Sequence, residues 1–172
     1  VVPATGRSVG EVRDRCSAFG FVAGIAEYGS ALVLDEEIVD LRSGADRAAL
    51  ERARRWLAAR DGVVVDPGYE LAVRAWRLDA GHRVSLTEAD HEELRRVVGE
   101  GLTIVAGDDQ SDLVGADTSK HRAVRALLQR LDPAQAHGEQ PLVIDARFNQ
   151  AAKLGQALIR LGLLRFGLPG PF

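Results

Sequence analysis

The stretch Val2-Pro3-Ala4-Thr5-Gly6-Arg7-Ser8 stands directly before an apolar pattern of helical spacing. Ser8 is followed three residues later by Glu11, which is the capping-box pattern that marks the start of a helix. The apolar spacing predicts a helix from about Val9 to Phe19, and Gly20 is expected to end it. The chain is therefore expected to pass from this opening segment straight into its first helix.

Two short apolar runs follow this helix, at Phe21–Ala26 and Ala31–Leu34. The residues Glu27-Tyr28-Gly29-Ser30 between them are typical of a turn, because polar side chains are combined there with a glycine. We therefore predict two buried strands joined by a short turn.

The middle of the chain repeats one order of elements. An amphipathic helix beginning near Asp46 is followed by two strands, and a second helix, capped by Thr87 and Asp90, is again followed by two strands. The predicted strands are Val63–Val65, Tyr69–Leu78, Leu102–Ala106 and Asp112–Ala116. A repeat of this kind predicts an antiparallel sheet that two helices cover on one face.

The last part of the chain returns to an alternation of helix and strand. A helix is predicted after Lys120, a short buried strand at Leu142–Asp145 and another helix at Ala151–Leu163. Together with the first segment, this alternation predicts an α/β fold with a parallel core sheet interrupted by an inserted lobe. We predict that residues 1–34 and 117–172 form the core and that residues 35–116 form the lobe.

Composition and charge argue against several classes of function. Of the 172 residues, 46% are hydrophobic and 27% are charged, which suffices for a substantial core. The net charge of -3 creates no field that would attract nucleic acid, and no apolar run has the ~20 residues of a membrane-spanning helix. These two features predict no nucleic-acid or membrane partner. Because Cys16 is the only cysteine, we also expect a cytoplasmic protein without an intramolecular disulfide. The sequence does not predict the oligomeric state.

Several motifs resemble those of the haloacid dehalogenase (HAD) phosphatases. The segment Val2–Ser8 is similar to the strand-to-helix segment in which that family binds the transferring phosphoryl group. The turn Glu27-Tyr28-Gly29-Ser30-Ala31 resembles the family's Glu-Asn-Gly-Ala turn, with Tyr28 in place of the usual Asn. Lys120 and Asp145 stand where the family has a lysine and its first metal-binding acid. The insertion resembles the larger caps of sugar-phosphate phosphatases, so the resemblance implies a HAD-like core, present here in part, with an inserted α+β cap.

The resemblance implies a phosphate site. The implied catalytic residues are Thr5 and Lys120, and the implied phosphate-binding residues are Thr5, Gly6, Arg7 and Lys120. A hydroxyl at a helix N-terminus and an ammonium group would supply the donors and the positive charge that a phosphoryl oxygen needs.

The resemblance also implies a Mg²⁺ cofactor held by Asp145 and Asn149, but this loop departs from the family's pattern. The family has Gly-Asp and, after a short gap, Asn-Asp, whereas this chain has Ile144-Asp145-Ala146-Arg147-Phe148-Asn149-Gln150. Asp145 and Asn149 keep the usual separation, with an amide in place of the second acid. An alignment shifted by one residue places Ala146 and Gln150 there and leaves no acid.

A second acidic stretch, Gly107-Asp108-Asp109-Gln110-Ser111-Asp112, resembles the Gly-Asp-Asp metal loop of trehalose-phosphate phosphatases. Two predicted strands flank it closely, as in a hairpin, and no suitable lysine precedes it. We therefore interpret it as an exposed acidic turn.

Two further groups of residues receive structural interpretations. Arg74, Trp76 and Arg77 could contact a sugar phosphate, but we expect them to cover the sheet of the inserted lobe. The histidines share no metal-ligand spacing and are expected to be exposed. They are His82, His91, His121 and His137.

The function that the resemblance implies is hydrolysis of a small phosphorylated metabolite, in particular a sugar phosphate, through an aspartyl-phosphate. The family's nucleophilic aspartate is not in this chain. Because the chain begins at Val1 and contains no methionine, we expect the nucleophile on an upstream segment. The alternative is a catalytically inactive relative that binds a phosphorylated ligand or a protein partner, and the altered loop around Asn149 favours it.

Overall fold

The computed structural model describes residues 1–35 and 37–130, together with the backbone of Ile144–Asp145. This part of the chain forms four α-helices and ten strands. The helices are α1 (Val9–Phe19), α2 (Gly44–Ala58), α3 (Glu88–Val98) and α4 (Lys120–Arg130). The strands are β1 (Val2–Pro3), β2 (Ala23–Ala26), β3 (Ala31–Leu34), β4 (Glu37–Asp40), β5 (Val63–Val65), β6 (Val73–Asp79), β7 (His82–Val84), β8 (Leu102–Ala106), β9 (Ser111–Gly115) and β10 (Ile144–Asp145).

The first group of strands contains both parallel and antiparallel pairs. Strands β2, β3 and β4 form an antiparallel sheet in chain order. The chain after β1 runs parallel to β2 through a bridge between Ala4 and Ile25, and β10 runs parallel to β1 with Pro3 opposite Asp145. The carboxyl ends of β1 and β10 therefore lie at the same edge.

The sheet around β2 and β3 is buried between two helices. Alternate residues of these strands point to opposite faces, so Ile25 and Leu32 pack towards α4, whereas Ala26 and Val33 pack towards α1. The side chains of α4 that complete the first cluster are Ala123, Val124 and Leu127. This helix–sheet–helix arrangement is the layering expected of an α/β core.

The second sheet has the strand order β5-β6-β9-β8, with β7 paired to the far end of β6. All of its pairs are antiparallel, and α2 and α3 pack on one face. The buried residues of that interface are Ala49, Leu50, Ala53, Leu57, Val73, Ala75, Leu86, Leu94, Val98 and Leu113. The sheet is antiparallel with two helices on one face, which is the arrangement that the repeated order of elements predicts.

Helices α1, α2 and α3 each begin at a complete capping box. Ser8 with Glu11 caps α1, which spans the predicted Val9–Phe19, and Gly20 ends it in the left-handed conformation. Ser43 with Asp46 caps α2, and Thr87 with Asp90 caps α3 in the same way. These local hydrogen bonds satisfy amide groups that have no partner within the helix.

The main differences from the predicted strands concern β4, β6 and β7. Strands β4 and β7 were not predicted, because charged residues interrupt their short apolar content. Strand β6 begins at Val73 and not at Tyr69. Because β4 pairs with β3, the sheet continues beyond Leu34, where we placed the boundary of the core. The division into a core and a cap stays a prediction, and the helix predicted at Ala151–Leu163 lies outside the described residues.

No helix in the described ranges combines the length and the apolarity needed to cross a lipid bilayer.

Candidate functional site

Three of the four predicted phosphate-binding residues, Thr5, Gly6 and Arg7, lie in the loop between β1 and α1. The amide of Thr5 donates to the carbonyl oxygen of Ile25 at 3.0 Å, which holds the loop against β2. The amide of Arg7 donates to Thr5 Oγ1 at 3.3 Å. The Thr5 hydroxyl therefore accepts one hydrogen bond within the loop and keeps its own proton for another acceptor. Because α1 begins at Val9, the loop lies at the positive end of a helix dipole.

The turn Glu27–Gly29 packs directly on this loop. The amide of Glu27 donates to the Arg7 carbonyl at 2.9 Å, and the amide of Tyr28 donates to the Thr5 carbonyl at 3.1 Å. A Cβ atom added to Gly6 would lie 2.5 Å from Tyr28 Cζ. The Tyr28 ring can therefore approach the loop only because residue 6 is glycine.

The second sheet, which with α2 and α3 is called the cap below, contributes a second wall through one hydrogen-bonded network. Arg74 on β6 donates from Nε and Nη2 to the carboxylate of Asp112 on β9, at 2.6 and 3.0 Å. Tyr28 donates from its hydroxyl to Asp112 Oδ2 at 2.6 Å, so the network joins the turn to the sheet. The Arg74 guanidinium also lies 4.0 Å above the ring of Tyr69, whose hydroxyl donates to the Gly6 carbonyl at 3.1 Å.

Tyr28, Tyr69 and Arg74 keep their ordinary charge states near neutral pH. Burial, assisted by the hydrogen bond to Asp112, raises the pKa of Tyr28, and burial raises the pKa of Tyr69. Burial alone would lower the pKa of Arg74, but the hydrogen bonds and the charge of Asp112 outweigh it and raise the pKa. The Arg74–Asp112 pair therefore has no net charge.

A cavity of about 480 Å³ opens between the loop and the cap strand. Its lining residues are Val1, Pro3, Ala4, Thr5, Gly6, Arg7, Arg15, Phe19, Phe21, Tyr28 and Arg74. Among the described residues, the lining contains three arginines and no acidic side chain, although Arg74 is paired with Asp112 and Arg7 with Glu11. Such a lining favours a ligand with an anionic group, and the phenylalanines leave an apolar region beside it.

Lys120 lies on the other side of the Glu27–Gly29 turn, as the first residue of α4. A Cβ atom added to Gly29 would lie 2.5 Å from the carbonyl carbon of Ser119 and 2.8 Å from the Lys120 amide. The turn thus packs between the Thr5 loop and the start of α4. Lys120 is half-buried, and this burial lowers the pKa of its ammonium group. It does not line the cavity.

Of the two predicted metal ligands, only Asp145 lies in the described part of the chain, and only its backbone is described. The backbone of Asp145 lies opposite Pro3, at the strand edge that also carries Thr5. Asn149 lies outside the described residues. Within residues 1–35 and 37–130, no group of three His, Cys, Asp or Glu side chains could hold a metal ion.

The acidic stretch Gly107–Asp112 is a hairpin turn, as we interpreted it. The amide of Gly107 donates to the Gln110 carbonyl at 2.8 Å, and β8 and β9 pair on either side. Asp108 and Asp109 are exposed, whereas Asp112 is buried in the pair with Arg74.

One histidine contradicts the prediction that the histidines are exposed. His91 is buried, and its Nε2 lies 3.0 Å from Ser111 Oγ while its Nδ1 lies 3.4 Å from Glu88 Oε2. The Leu86 amide donates to the same Ser111 oxygen at 3.2 Å. Ser111 has no exposed surface, so this Ser–His–Glu arrangement joins parts of the cap and is closed to a substrate.

Sequence reasoning missed the cap side of the cavity. We expected Arg74 to cover the sheet, but it lines the cavity, whereas Arg77 pairs with Asp90 inside the cap. Tyr69 and Tyr28 contact partners far away in the chain. The only signal in the sequence was the alternation around Val73, which indicates the face of β6 and not what that face meets.

Comparison with known proteins shows the class of this fold. No protein-family model matches the sequence, and no curated protein matches it. Among solved structures, the sucrose-phosphatase of Synechocystis sp. PCC6803 is similar with a TM-score of 0.53 at 15% identity, over 76% of this chain and 56% of that chain. The C-terminal domain of C. albicans trehalose-6-phosphate phosphatase has a TM-score of 0.51 at 16% identity, over 74% and 47%. A sugar phosphatase of HAD subclass IIB has a TM-score of 0.50 at 9% identity, over 74% and 61%.

The chain therefore has a HAD-like α/β fold with a cap, and the predicted fold class is confirmed. At these identities the similarity concerns the fold alone. The chain spans 47–61% of the length of these phosphatases.

Proposed function

We propose that this chain is part of a HAD-type phosphatase that hydrolyses a small phosphorylated metabolite, in particular a sugar phosphate. The observation that carries this proposal is the cavity between the Thr5–Arg7 loop at the start of α1 and Arg74 of the cap. The similar structures support the proposal, because they are a trehalose-6-phosphate phosphatase, a sucrose-phosphatase and a sugar phosphatase. One of them was solved with sucrose and phosphate bound.

The phosphoryl group would lie on the Thr5–Arg7 loop. Thr5 can donate from its hydroxyl, because that oxygen already accepts from the Arg7 amide. Arg7 adds a cation, although Glu11 at 2.5 Å neutralises part of its charge. Lys120 would supply the second positive charge from the start of α4, and together these groups would stabilise charge on the phosphoryl oxygens.

We propose Asp145 and Asn149 as the residues that would hold Mg²⁺. Carboxylate and amide oxygens are donors that this ion accepts, and the backbone of Asp145 lies at the strand edge that carries Thr5. When bound there, the ion would neutralise charge on the phosphoryl group.

The leaving group would lie towards the cap. The neutral Arg74–Asp112 pair offers hydrogen-bond donors without net charge, and Phe19 and Phe21 offer an apolar surface. Hydroxyl groups and the C–H face of a sugar fit such a surface. We propose a cytoplasmic location, in keeping with the single, buried thiol of Cys16.

The second candidate is a catalytically inactive relative that binds a phosphorylated ligand. The observation that favours it is Asn149 in place of the family's second metal-binding acid. This candidate predicts ligand binding without release of phosphate.

The experiment that separates the two candidates is phosphate release from a panel of sugar phosphates by the full-length protein with Mg²⁺. We expect turnover that falls about 10²–10³-fold in Lys120→Ala, the usual loss when a group stabilising transition-state charge is removed. Asp145→Asn should also reduce it. Arg96→Ala, which removes an exposed cation of the cap, is the matched control and should leave turnover unchanged. Turnover that survives both site substitutions would contradict the placement of the site, and binding without turnover would favour the second candidate.

A further inference from the structure

Glu27 is an acidic residue with no solvent exposure. A carboxylate taken out of water needs strong compensating interactions. Within the described residues, the hydrogen-bond partners of this carboxylate are all main-chain amides. Glu27 therefore acts on the course of the backbone and not on another side chain.

These amides come from two distant parts of the chain. Oε1 accepts from the amide of Val9, the first residue of α1, at 3.2 Å and from the amide of Glu70 at 3.4 Å. Oε2 accepts from the amides of Leu71 at 2.8 Å and Ala72 at 2.5 Å. One carboxylate thus joins the helix that follows the phosphate loop to residues 70–72, which lead into β6.

The carbonyl groups of the same segment are held from the other side. Arg54 on α2 donates from Nη2 to the carbonyl oxygens of Tyr69 at 2.9 Å and Ala72 at 3.0 Å. Arg42 donates from Nη1 to the Leu71 carbonyl at 3.0 Å. The carbonyls of the segment are therefore held by Arg54 on α2 and by Arg42 just before α2, and its amides are held by Glu27.

The backbone at Glu27 is itself in a disfavoured conformation. Glu27 and Tyr28 have φ angles of 46° and 63°, in the left-handed region that non-glycine residues rarely adopt. Strain of this kind persists where surrounding contacts impose it, and it is concentrated at functional sites. Here the contacts that impose it are the bonds of the carboxylate and the bond from the Glu27 amide to the Arg7 carbonyl.

We propose that Glu27 is a positioning residue that fixes residues 70–72, and through them Arg74, above the Thr5–Arg7 loop. Ala72 is two residues before Arg74, which lines the cavity, and Arg7 lines it from the loop. The loop and the cap strand are thereby held so that both act on one ligand. This role rests on the phosphate site proposed above.

The test measures hydrogen–deuterium exchange of the protein with and without saturating inorganic phosphate. In the wild type, phosphate should slow exchange in residues 4–12 and also in residues 66–76. In Glu27→Gln, which keeps the size but turns an acceptor into a donor, phosphate should still protect residues 4–12. Protection of residues 66–76 should fall by about tenfold or more.

Asp90→Asn is the matched control, because Asp90 is also a buried carboxylate but its bonds to Arg77 and Thr87 lie within the cap. It should keep phosphate protection in both segments. If Glu27→Gln does not fold, Glu27→Asp, which retains the charge with a shorter reach, should give the same loss in residues 66–76.

Protection of both segments in the Glu27 variant would overturn the positioning role. Loss of protection in both segments would also overturn it, because Glu27 would then build the loop and not connect it to the cap. If phosphate protects neither segment in the wild type, the phosphate site itself fails, and the two failures are thus distinguished.

Discussion

At the scale of single residues, Asp112 holds Arg74 and Tyr28, two side chains that line the cavity. It accepts hydrogen bonds from Arg74 and from Tyr28, and its side chain is only 4% exposed. A buried pair of this kind is retained only with good geometry, because both charges lose their hydration. The two bonds from Arg74, at 2.6 and 3.0 Å, provide that geometry.

The two tyrosines provide a direct prediction at this scale. Tyr28 and Tyr69 are the only tyrosines of the chain, and the pKa of both is raised by burial. An absorbance titration should therefore show no tyrosinate at pH values near 10, where an exposed tyrosine ionises, as long as the protein stays folded. Unfolded protein in urea is the control and should titrate normally. If one tyrosine of the folded protein ionises near the ordinary tyrosine pKa, the packing described for Tyr28 or Tyr69 is contradicted.

The pH dependence of phosphate binding is a second prediction. Burial lowers the pKa of Lys120, so its charge is lost at a lower pH than that of an exposed lysine. Phosphate affinity measured by calorimetry should fall on the alkaline side below the usual lysine range, and Lys120→Arg should move this fall to higher pH. The effect on stability has the opposite sign. Between the lowered pKa and the ordinary lysine pKa, the unfolded state binds this proton more readily than the folded state does. The free energy of unfolding therefore increases as pH rises through this range, because the cost of burying the charge disappears. An alkaline fall that is identical in Lys120→Arg would exclude Lys120 as its origin.

At the scale of elements, the Glu27–Gly29 turn is held against the start of α4. Gly29 has a φ of 104°, and a Cβ atom there would lie 2.5 Å from backbone atoms of Ser119. We expect Gly29→Ala to destabilise the protein by about 2–4 kcal/mol in urea unfolding, because neither the backbone conformation nor the contact can adapt cheaply. Gly44→Ala is the control: nothing lies within 4 Å of a Cβ atom at the first residue of α2. Equal stability of the two variants would show that α4 does not pack on this turn.

The sequence predicted those elements whose signals are local. The capping boxes at Ser8 and Thr87 mark the starts of α1 and α3 within four residues, and both helices begin where predicted. Tyr69–Ala72 was predicted as strand because its apolar pattern continues that of β6. It is not a strand, because Glu27 and Arg54 take its amides and carbonyls, and these partners are distant in the chain.

The candidate site was predictable to the same extent. Thr5, Gly6 and Arg7 form one contiguous motif, and the structure places all three at the cavity. Arg74 faces the same cavity only because the cap folds back on the core, and periodicity within β6 carries no information on that contact. The roles of Lys120, Asp145 and Asn149 stay predictions.

At the scale of the whole molecule, Glu27 and Tyr28 connect the core turn to the cap through buried hydrogen bonds. We therefore expect both parts to unfold in one transition. The chain contains its own probes: its two tryptophans, Trp56 and Trp76, lie in the cap, and its one cysteine, Cys16, is a buried residue of α1. Tryptophan fluorescence and thiol reactivity should give the same urea midpoint. Separate midpoints would show that the cap and the core are not coupled.

The central claim, a phosphate site at the Thr5 loop with Lys120 as a cation, is tested most directly by calorimetric titration with inorganic phosphate in the presence of Mg²⁺. We predict that the wild-type protein binds phosphate and that Lys120→Ala weakens this binding at least about tenfold, which corresponds to about 1.4 kcal/mol. Arg96→Ala should bind phosphate like the wild type. Absence of binding in the wild-type protein, or unchanged affinity in Lys120→Ala, would contradict the claim.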